Sequence, residues 1–157
     1  MEGMFDIFDV VLLSEDNIDE LVELEKKCFS DPWSSTMFLG DLRSNDTCYF
    51  GVFNNNGDLV GYAGMWLTID GGEITNVAVH PDYRRKGIAS SLVHNLIKIC
   101  KANNLFFINL EVRESNCKAI SLYKQNGFKK VGERKNYYKN PTESALLMTK
   151  TLSERID

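Results

Sequence analysis

The sequence predicts an α/β domain in which a mixed, mostly antiparallel sheet of about six to seven strands is flanked by about four helices. Two observations carry this prediction. Short strand-like runs are separated by Gly- and Asn-rich turns, which is typical of antiparallel hairpins. A strongly amphipathic helix stands between two apolar strand-like runs, which is the pattern of a parallel crossover. Since the 157 residues contain no linker-like stretch, we expect one domain over 1–157.

The first part of the chain is expected to form a strand and two helices. The strand covers Ile7–Leu13. The run SEDNIDELVELEKKCF then begins with capping residues. Its apolar positions recur on one helical face: Ile18, Leu21, Val22 and Cys28. Pro32 ends this helix, and Ser34 is expected to cap a second helix. The apolar residues of that second helix are Met37, Phe38 and Leu42.

Three strands joined by tight turns are expected next. The runs CYFGVF and LVGYAGMW are strand-like, and NNNGD between them has the composition of a hairpin turn. A Gly-Gly turn then leads into the third strand, GGEITNVAV. Because strands joined by short turns pair antiparallel, this part of the sheet is expected to be antiparallel.

The helix that follows these strands has the most regular pattern in the sequence. Its apolar stripe consists of Ile88, Ala89, Leu92, Val93, Leu96, Ile97 and Cys100. The next run, LFFINLEV, is almost continuously apolar, as expected for a strand that is covered on both faces. We therefore expect parallel pairing around this helix.

The chain is expected to end with a short helix and two strands. Ser115 or Asn116 caps the helix, which runs through Tyr123, and Gly127 provides its stop signal. The last two strands are expected over Phe128–Arg134 and Ala145–Leu152. The polar segment KNYYKNPTE between them is predicted to be a loop.

Composition and charge exclude several classes of function. The formal net charge of −4 provides no positive field to attract nucleic acid, so we expect no nucleic-acid partner. No apolar run is long enough to span a membrane, and MEGMFDIFDV lacks the basic start of a signal peptide, so we expect a cytoplasmic protein without a membrane partner. The four cysteines lack metal-ligand spacing, so no metal is expected, and Cys28 and Cys100 are predicted to be buried thiols.

Positive charge is concentrated at a glycine where a strand meets the amphipathic helix. Arg84, Arg85 and Lys86 directly precede Gly87. A helix N-terminus presents unpaired backbone N–H groups, and a glycine lets an anion approach them, so the natural ligand is a pyrophosphate. On the glycine alone, a solvated basic loop with a tight turn is the better interpretation. The spacing is R-x-x-G-x-A, which is neither a P-loop nor a dinucleotide fingerprint.

This R-x-x-G-x-A loop, placed between a strand and an amphipathic helix, resembles the pyrophosphate loop of the GNAT superfamily of N-acetyltransferases. Four stretches are similar to the RimI family of bacterial ribosomal-protein alanine N-acetyltransferases: NVAVHPDYRRKGIA, LEVRESNCKAISLYKQNGF, RKNYY and FSDPWS. The similarity covers nearly the whole chain except for the first few residues. It implies the GNAT fold, acetyl-CoA as cosubstrate and direct transfer of the acetyl group to an amine.

The resemblance also implies which residues bind acetyl-CoA. Backbone groups of one strand segment would pair with the pantetheine arm as an added strand would: Val77, Ala78 and Val79. The pyrophosphate would be enclosed by Arg85, Lys86, Gly87, Ile88, Ala89 and Ser90. Asn116 matches a position that contacts the cofactor in the family, although a helix cap explains this residue equally well.

Attack of an amine on a thioester needs a proton acceptor, donors for the developing oxyanion and help for the departing thiolate. The resemblance implies Glu111 as the proton acceptor and Tyr123 as the proton donor to the thiolate. From the residues alone, Glu111 marks the exit of a strand into solvent, and Tyr123 is a core aromatic. Glu73 is the rival base, and the oxyanion donor is expected to be a backbone N–H near Val79. Neither histidine is assigned a role.

The acceptor is expected to be a protein N-terminus. About a tenth of an α-amine with a pKa of ~7.7–8.0 is neutral at pH 7, whereas deprotonating a lysine with a pKa of ~10.4 costs about 3 kcal/mol more. The loops FSDPWS and KNYYKN are expected to flank the peptide through Trp33, Tyr137 and Tyr138, although packing under its loop explains Trp33 equally. In the family the usual target is the N-terminal alanine of the eighteenth small-subunit ribosomal protein, a basic partner that suits a net acidic surface.

Three other functions stay open on the sequence. One is a GNAT enzyme that acetylates a lysine or a small-molecule amine. Another is a non-catalytic acyl-CoA-binding module, against which the presence of both Glu111 and Tyr123 argues. The third is a nucleotide-binding switch, which is weakened because the chain lacks the Lys-Ser/Thr end of a P-loop.

Overall fold

The computed structural model describes residues 8–153. In chain order its strands and helices are β1 Val10–Leu12, α1 Ile18–Cys28, α2 Ser35–Leu42, β2 Thr47–Phe53, β3 Leu59–Leu67, β4 Gly71–Val79, α3 Ile88–Ala102, β5 Phe107–Arg113, α4 Cys117–Gln125, β6 Lys129–Tyr138 and β7 Glu143–Thr151. Short 3-10 turns precede α1 and α3, at Glu15–Asn17 and Pro81–Tyr83. Seven strands and four helices within this part of the chain confirm the predicted fold class and element order.

All seven strands form one sheet in the order β1-β2-β3-β4-β5-β7-β6. Neighbouring strands pair antiparallel except for β4 and β5, which are parallel. The helix α3 makes the crossover between these two strands, as its position between two apolar runs predicted. The sheet is therefore mixed and mostly antiparallel.

The parallel strands β4 and β5 pair over only part of their length. Gly71–Ile74 pair with Phe107–Leu110, and beyond these residues the two strands separate. In the pairing of β4 with β3, Ile74 and Asn76 face consecutive residues, so Thr75 is the extra residue of a β-bulge. A bulge bends the strand that contains it. The bend turns β4 away from β5 and leaves an opening between two unpaired strand edges.

Two apolar clusters cover the two faces of the sheet. On one face, Leu92 and Leu96 of α3 and Tyr123 of α4 pack with the sheet in the larger cluster. On the other face, Leu21 of α1 and Phe38 of α2 belong to the second cluster. The helices α1 and α2 pack on β2, β3 and β4, so β5, β7 and β6 are less covered on this face.

The helix ends follow the predicted caps. Ser14 forms a capping box with Asn17, and the Ser34 hydroxyl accepts a hydrogen bond from the Met37 N–H. At α4 the cap is Asn116, and Gly127 follows the helix with a φ of 93°. Within residues 8–153, no helix combines the length and apolar character that crossing a membrane requires.

Two predictions from the sequence are wrong in detail. The segment predicted as a loop is shorter, because β6 continues to Tyr138, which pairs with Glu143 of β7. This pairing with β7 outweighs the polar composition of the segment. Cys100 is buried as predicted, but Cys28 is only partly buried because it borders the β4–β5 opening. Ile7, the predicted start of β1, lies outside the described residues.

Candidate active site

A cavity of about 560 Å³ lies beside the part of β4 that no longer pairs with β5. It brings together residues that the sequence placed on one strand, one loop and two helices. The predicted site residues that line it are Val77, Ala78, Val79, Arg85, Gly87, Ile88, Ala89, Ser90, Asn116 and Tyr123. Lys86 and Glu111 are not among its lining residues.

At one end of the cavity the chain turns sharply at the start of α3. Gly87 has a φ of 83°, and a Cβ on this residue would meet no atom within 4 Å. The backbone at Gly87 is therefore open to a ligand, next to the first N–H groups of α3. No side chain caps these groups, and Arg85 also lines the cavity. This donor set fits a pyrophosphate, because it combines free backbone N–H groups, the positive end of a helix and mobile positive charge.

The edge of β4 that faces the cavity offers backbone hydrogen-bonding groups. The N–H of His80 donates to β3. Since alternate residues of a strand direct their backbone groups to opposite edges, Val77 and Val79 direct theirs to the edge that β5 has left. The Val79 carbonyl already accepts hydrogen bonds from the Cys28 thiol (3.4 Å) and from Arg84 Nε (3.0 Å). The N–H and C=O of Val77 and the N–H of Val79 are thus available to an extended ligand.

Tyr123 borders the cavity from α4. The residue is 7% exposed, and its ring packs edge-on against Phe128 at 5.7 Å between ring centroids. Burial raises the pKa of the Tyr123 phenol to about 12, so this group is protonated at neutral pH. Tyr123 therefore both packs in the core and lines the cavity.

Asn116 both caps a helix and lies at the cavity, which are the two alternatives that the sequence left open. Its Oδ1 atom accepts a hydrogen bond from the Ala119 N–H (3.2 Å), which caps α4. The same residue lines the cavity. A side chain that caps a helix is held rigidly, so capping and ligand contact are compatible here.

Glu111 stands beside the opening and outside the cavity. It follows Leu110, the last residue of β5 that pairs with β4. Leu110 and Val112 belong to the cluster under α3, so Glu111 faces the opposite side of the sheet, where α1 and α2 lie. Its Oε1 atom forms an ion pair with Arg134 Nε at 3.3 Å, which orients the carboxylate. Glu73, the rival base, is exposed and lies near the start of β4, where it pairs with Asn109 of β5.

The β6–β7 turn is fastened to the end of β5 by Arg113. Its guanidinium lies 4.4 Å from the ring centroid of Tyr138 and donates hydrogen bonds to the carbonyls of Lys139 (3.0 Å) and Pro141 (3.1 Å). Arg113 also forms an ion pair with Glu143 at 3.8 Å. These contacts hold the tyrosine-bearing segment next to the open face of the sheet.

The other predicted groove residues have different environments. Arg134 lies 5.6 Å from the ring centroid of Tyr137, which is 49% exposed. Trp33 packs against Phe38 at 5.4 Å between ring centroids, and its backbone N–H donates to Glu25 Oε1 (3.4 Å). Packing under its loop therefore describes Trp33, whereas Tyr137 presents its ring to solvent.

Sequence reasoning missed several residues that line the cavity. Phe29 and Cys28 come from the end of α1, and Leu122 and Lys118 come from α4. Their local patterns are those of ordinary amphipathic helices, so only the packing of α1 and α4 against the opening could reveal them. Arg84 was visible in the loop motif, and its hydrogen bond to the β4 carbonyl adds a structural role. Within residues 8–153, no cluster of three or more His, Cys, Asp or Glu residues is arranged to hold a metal ion.

Comparisons with known proteins agree with this geometry. The model of the acetyltransferase (GNAT) family matches residues 18–128. A Bacillus subtilis protein with the provisional name of a ribosomal protein bS18-alanine N-acetyltransferase is 37% identical over 139 residues, which span 88% of this chain and 92% of the relative. The ribosomal protein bS18-alanine N-acetyltransferase of Escherichia coli is 31% identical over 134 residues, which span 83% of this chain and 88% of the relative.

A solved structure is similar over almost the whole chain. The crystal structure of a ribosomal-protein alanine N-acetyltransferase from Escherichia coli superposes with a TM-score of 0.88 at 27% sequence identity. The match covers 96% of this chain and 97% of the crystal structure. The overall fold of this chain is therefore shared with a solved structure.

Proposed function

Because the chain belongs to the GNAT family of acetyltransferases, we propose that it transfers an acetyl group from acetyl-CoA to the N-terminal α-amine of a protein. The names of the curated relatives support this class of enzyme and favour the N-terminal alanine of ribosomal protein bS18 as the target. They do not favour a lysine, a small-molecule amine or a non-catalytic module. A cytoplasmic location, where such a substrate is made, is part of the proposal, and the absence of nucleic-acid and membrane partners stays a prediction.

One observation carries the proposal, which is the continuous opening between β4 and β5. The Gly87 turn, the free edge of β4 and Tyr123 of α4 all line the cavity beside it. A ligand that reaches along it needs an anionic group for the turn and an extended arm for the strand edge. Acetyl-CoA has both, and its reactive carbonyl would come to lie near Val79.

Bound acetyl-CoA would supply an activated acetyl thioester, and the residues of this chain would bind and orient it. The N–H and C=O of Val77 and the N–H of Val79 hold the arm along β4. The first N–H groups of α3 and the Arg85 guanidinium hold the pyrophosphate. Because Gly87 carries no side chain, the phosphates can approach the backbone closely.

Glu111 is the proposed proton acceptor. It lies on the sheet face that α1, α2 and the β6–β7 turn surround, which is the side from which a peptide can approach the opening. The ion pair with Arg134 holds the carboxylate in one orientation. Removal of a proton from the attacking amine, directly or through one water, completes formation of the amide.

Tyr123 is the proposed donor to the departing thiolate. With a pKa raised to about 12, the phenol lies about 3.5 units above the ~8.5 of a free thiol. Complete proton transfer across that difference costs about 5 kcal/mol at ~1.36 kcal/mol per unit. Donation of a hydrogen bond to the thiolate is therefore the role that fits this phenol.

A transfer assay with defined peptides tests the proposal. The protein is incubated with acetyl-CoA and peptides that differ only in their first residue, and products are read by mass spectrometry. We expect acetylation of a peptide that begins with alanine and none of a peptide with a blocked N-terminus and an internal lysine. Preferred acetylation of the blocked peptide would contradict the α-amine proposal, and cofactor binding without turnover on any amine would indicate a non-catalytic module.

A further inference from the structure

An exposed tryptophan and an exposed carboxylate are neighbours on the α1/α2 face of the sheet. Trp66 of β3 is paired directly with Glu73 of β4 in the antiparallel register. Met65 and Ile74, which are adjacent to them in the chain, belong to the cluster under α3, so Trp66 and Glu73 face the opposite side. Directly paired residues on one face of a sheet have Cβ atoms about 4.5–5.5 Å apart, so the indole and the carboxylate are within reach of one ligand.

The indole of Trp66 is held in place and is still open to solvent. Its Nε1–H donates a hydrogen bond to Asp41 Oδ2 of α2 (3.2 Å), and the same oxygen accepts one from the Tyr49 hydroxyl (2.6 Å). Trp66 is nevertheless 46% exposed. Because Nε1 is the single polar atom of this side chain and is already hydrogen-bonded, the indole has ring surface to offer to a ligand.

The negative charge of Glu73 is not neutralised by another side chain. The residue is exposed, and none of the ion pairs among residues 8–153 involves it. Glu111, on the same face of β5, differs because Arg134 pairs with it at 3.3 Å. Together with the Asp41 carboxylate that holds the indole, Glu73 makes this surface favourable for a cation.

This surface lies directly before the opening between β4 and β5. Ile74 and Leu110 are the last residues at which the two strands pair, and Glu73 and its partner Asn109 precede them. The other face of the sheet is occupied by α3 and α4, whose residues line the cavity beside β4. A peptide therefore has to approach from the α1/α2 face. Since an extended chain spans about 3.3–3.6 Å per residue, the side chains of its second and third residues can reach Glu73.

A carboxylate beside an exposed indole suits a positively charged side chain. A cation is attracted both by the face of an aromatic ring and by a carboxylate. The guanidinium of arginine is planar, so it can stack on the ring while it donates hydrogen bonds to the carboxylate. We propose that Trp66 and Glu73 bind a basic side chain, preferably that of arginine, at the second or third residue of the acceptor peptide. The inference rests on the proposed function and adds a specificity subsite to it.

In this role Glu73 binds the substrate and does not act as a base. A base accelerates transfer to every peptide, because each acceptor amine has to lose a proton. A carboxylate that binds a side chain acts only on peptides with a positive charge at the right position. The two roles of Glu73 therefore predict different results with neutral and with basic peptides.

The test moves a single arginine along otherwise neutral peptides that begin with alanine. Wild-type protein is assayed with arginine at the second, third or fourth residue and with a peptide that has glutamine at all three. We expect arginine at the second or third residue to raise kcat/KM about tenfold over glutamine, the combined effect of an exposed cation–π contact and an exposed ion pair. High salt should reduce this preference, because it screens charges at the surface.

Two variants of Glu73 distinguish a specific contact from a general effect on folding. Glu73→Gln should remove most of the preference for arginine, because kcat/KM falls for the arginine peptide and much less for the glutamine peptide. Glu73→Lys should reverse the preference, so that a peptide with glutamate at the same position becomes the better substrate. Damage to the fold lowers activity on all peptides and cannot produce such a reversal.

Trp66→Leu tests the aromatic half of the subsite. Wild-type protein should prefer arginine to lysine at the same peptide position about two- to threefold, because the planar guanidinium stacks on an indole better than an ammonium does. The variant keeps an apolar side chain but lacks the ring, so this difference should disappear. An unchanged preference for arginine over lysine in Trp66→Leu would exclude the indole from the subsite.

Glu133→Gln is the matched control. Glu133 is also exposed and lies on a strand of the same sheet, but its partner Leu146 packs against the cluster under α3, so Glu133 faces the other side. This variant removes the same charge and should keep the preference for arginine. Equal loss of the preference in Glu133→Gln and Glu73→Gln would mean that net charge, and not a subsite, explains it.

Three outcomes of the peptide series would contradict what we propose. Equal use of the arginine and glutamine peptides by wild-type protein, or a preference that survives in Glu73→Gln, would overturn the inference. A loss in Glu73→Gln that is equally large for both peptides would make Glu73 a base instead. Wild-type protein that acetylates no peptide would refute the proposed function, and the inference with it.

Discussion

The two sides of the β4–β5 opening are built from different kinds of atoms. The proposed cofactor side consists of backbone groups, supplied by the free edge of β4 and by the first turn of α3 after Gly87. The proposed acceptor side consists of side chains, with Glu111 held by Arg134 and Tyr138 held by Arg113. Backbone groups bind any ligand of the right shape and charge, whereas side chains can change from one protein to another without disturbing the strands.

This difference determines how easily each side can be predicted from the sequence. A backbone site needs a glycine and a strand–loop–helix order, all within one short stretch of sequence. A side-chain site needs partners from separate strands, and Glu111, Arg134 and Tyr138 come from two strands that do not even pair with each other. Mutations should therefore separate the two sides into different kinetic constants.

The largest effect is expected at the turn of the cofactor side. Gly87→Glu places a negative side chain in the space for the pyrophosphate and forces a residue with a Cβ into a φ of 83°. We expect acetyl-CoA affinity to fall at least about 100-fold, as measured by calorimetry. Gly57→Glu is the matched control, because Gly57 has the same φ of 83° and equally open surroundings in the β2–β3 turn. If Gly87→Glu kept wild-type affinity, the anion site would lie elsewhere.

The next largest effect is expected for the proposed base. Glu111→Gln retains a partner for Arg134 but cannot accept a proton at neutral pH. The rate of transfer should fall by about 10²–10⁴, the usual contribution of a general base, with unchanged affinity for acetyl-CoA. Single-turnover measurements would check this prediction, with Glu73→Gln as the comparison. Full activity of Glu111→Gln would move the base role to Glu73 or to water.

A smaller effect is expected for Tyr123→Phe. The variant keeps the ring that packs against Phe128 and removes only the hydroxyl. Loss of one hydrogen bond to the departing thiolate should lower kcat about tenfold while the KM values for both substrates change little. Wild-type kinetics in this variant would reduce Tyr123 to a packing residue.

The smallest effect is expected for Arg113, which holds the β6–β7 turn against the end of β5. Arg113→Gln removes the cation–π contact with Tyr138 and the ion pair with Glu143. The peptide KM should rise about two- to fivefold without a change in acetyl-CoA affinity, in line with the energy of one exposed cation–π contact. Arg43→Gln is the matched control, because it breaks an exposed ion pair between Arg43, directly after α2, and Glu15 of the 3-10 turn before α1. A change in cofactor affinity in Arg113→Gln would show that the two sides are coupled.

Most of the fold could be predicted because its signals are local. The hairpin between β2 and β3, the amphipathic α3 and the caps at Ser14, Ser34 and Asn116 each depend on a few neighbouring residues. The extension of β6 to Tyr138 could not be predicted in this way. Its polar residues favour a loop by themselves and become a strand only because β7 offers a partner.

The same division applies to the candidate site. The turn at Gly87 and the strand next to it were visible as a motif, and Tyr123 was visible through resemblance. Phe29 and Cys28 were not, since nothing in α1 shows that its end borders a cavity. The partner of Glu111 and the pairing of Trp66 with Glu73 were not visible either, because both depend on atoms from different strands.

By itself, the sequence determined the order and kind of the elements and the loop that fits a pyrophosphate, because propensities, caps and a glycine act over a few residues. The tertiary structure alone decided how far β4 and β5 separate, which carboxylate meets an arginine and which one lies beside an exposed tryptophan. Those properties arise from a bulge, from strand order and from hydrogen bonds between distant residues. A linear pattern does not contain such distances, and packing creates them.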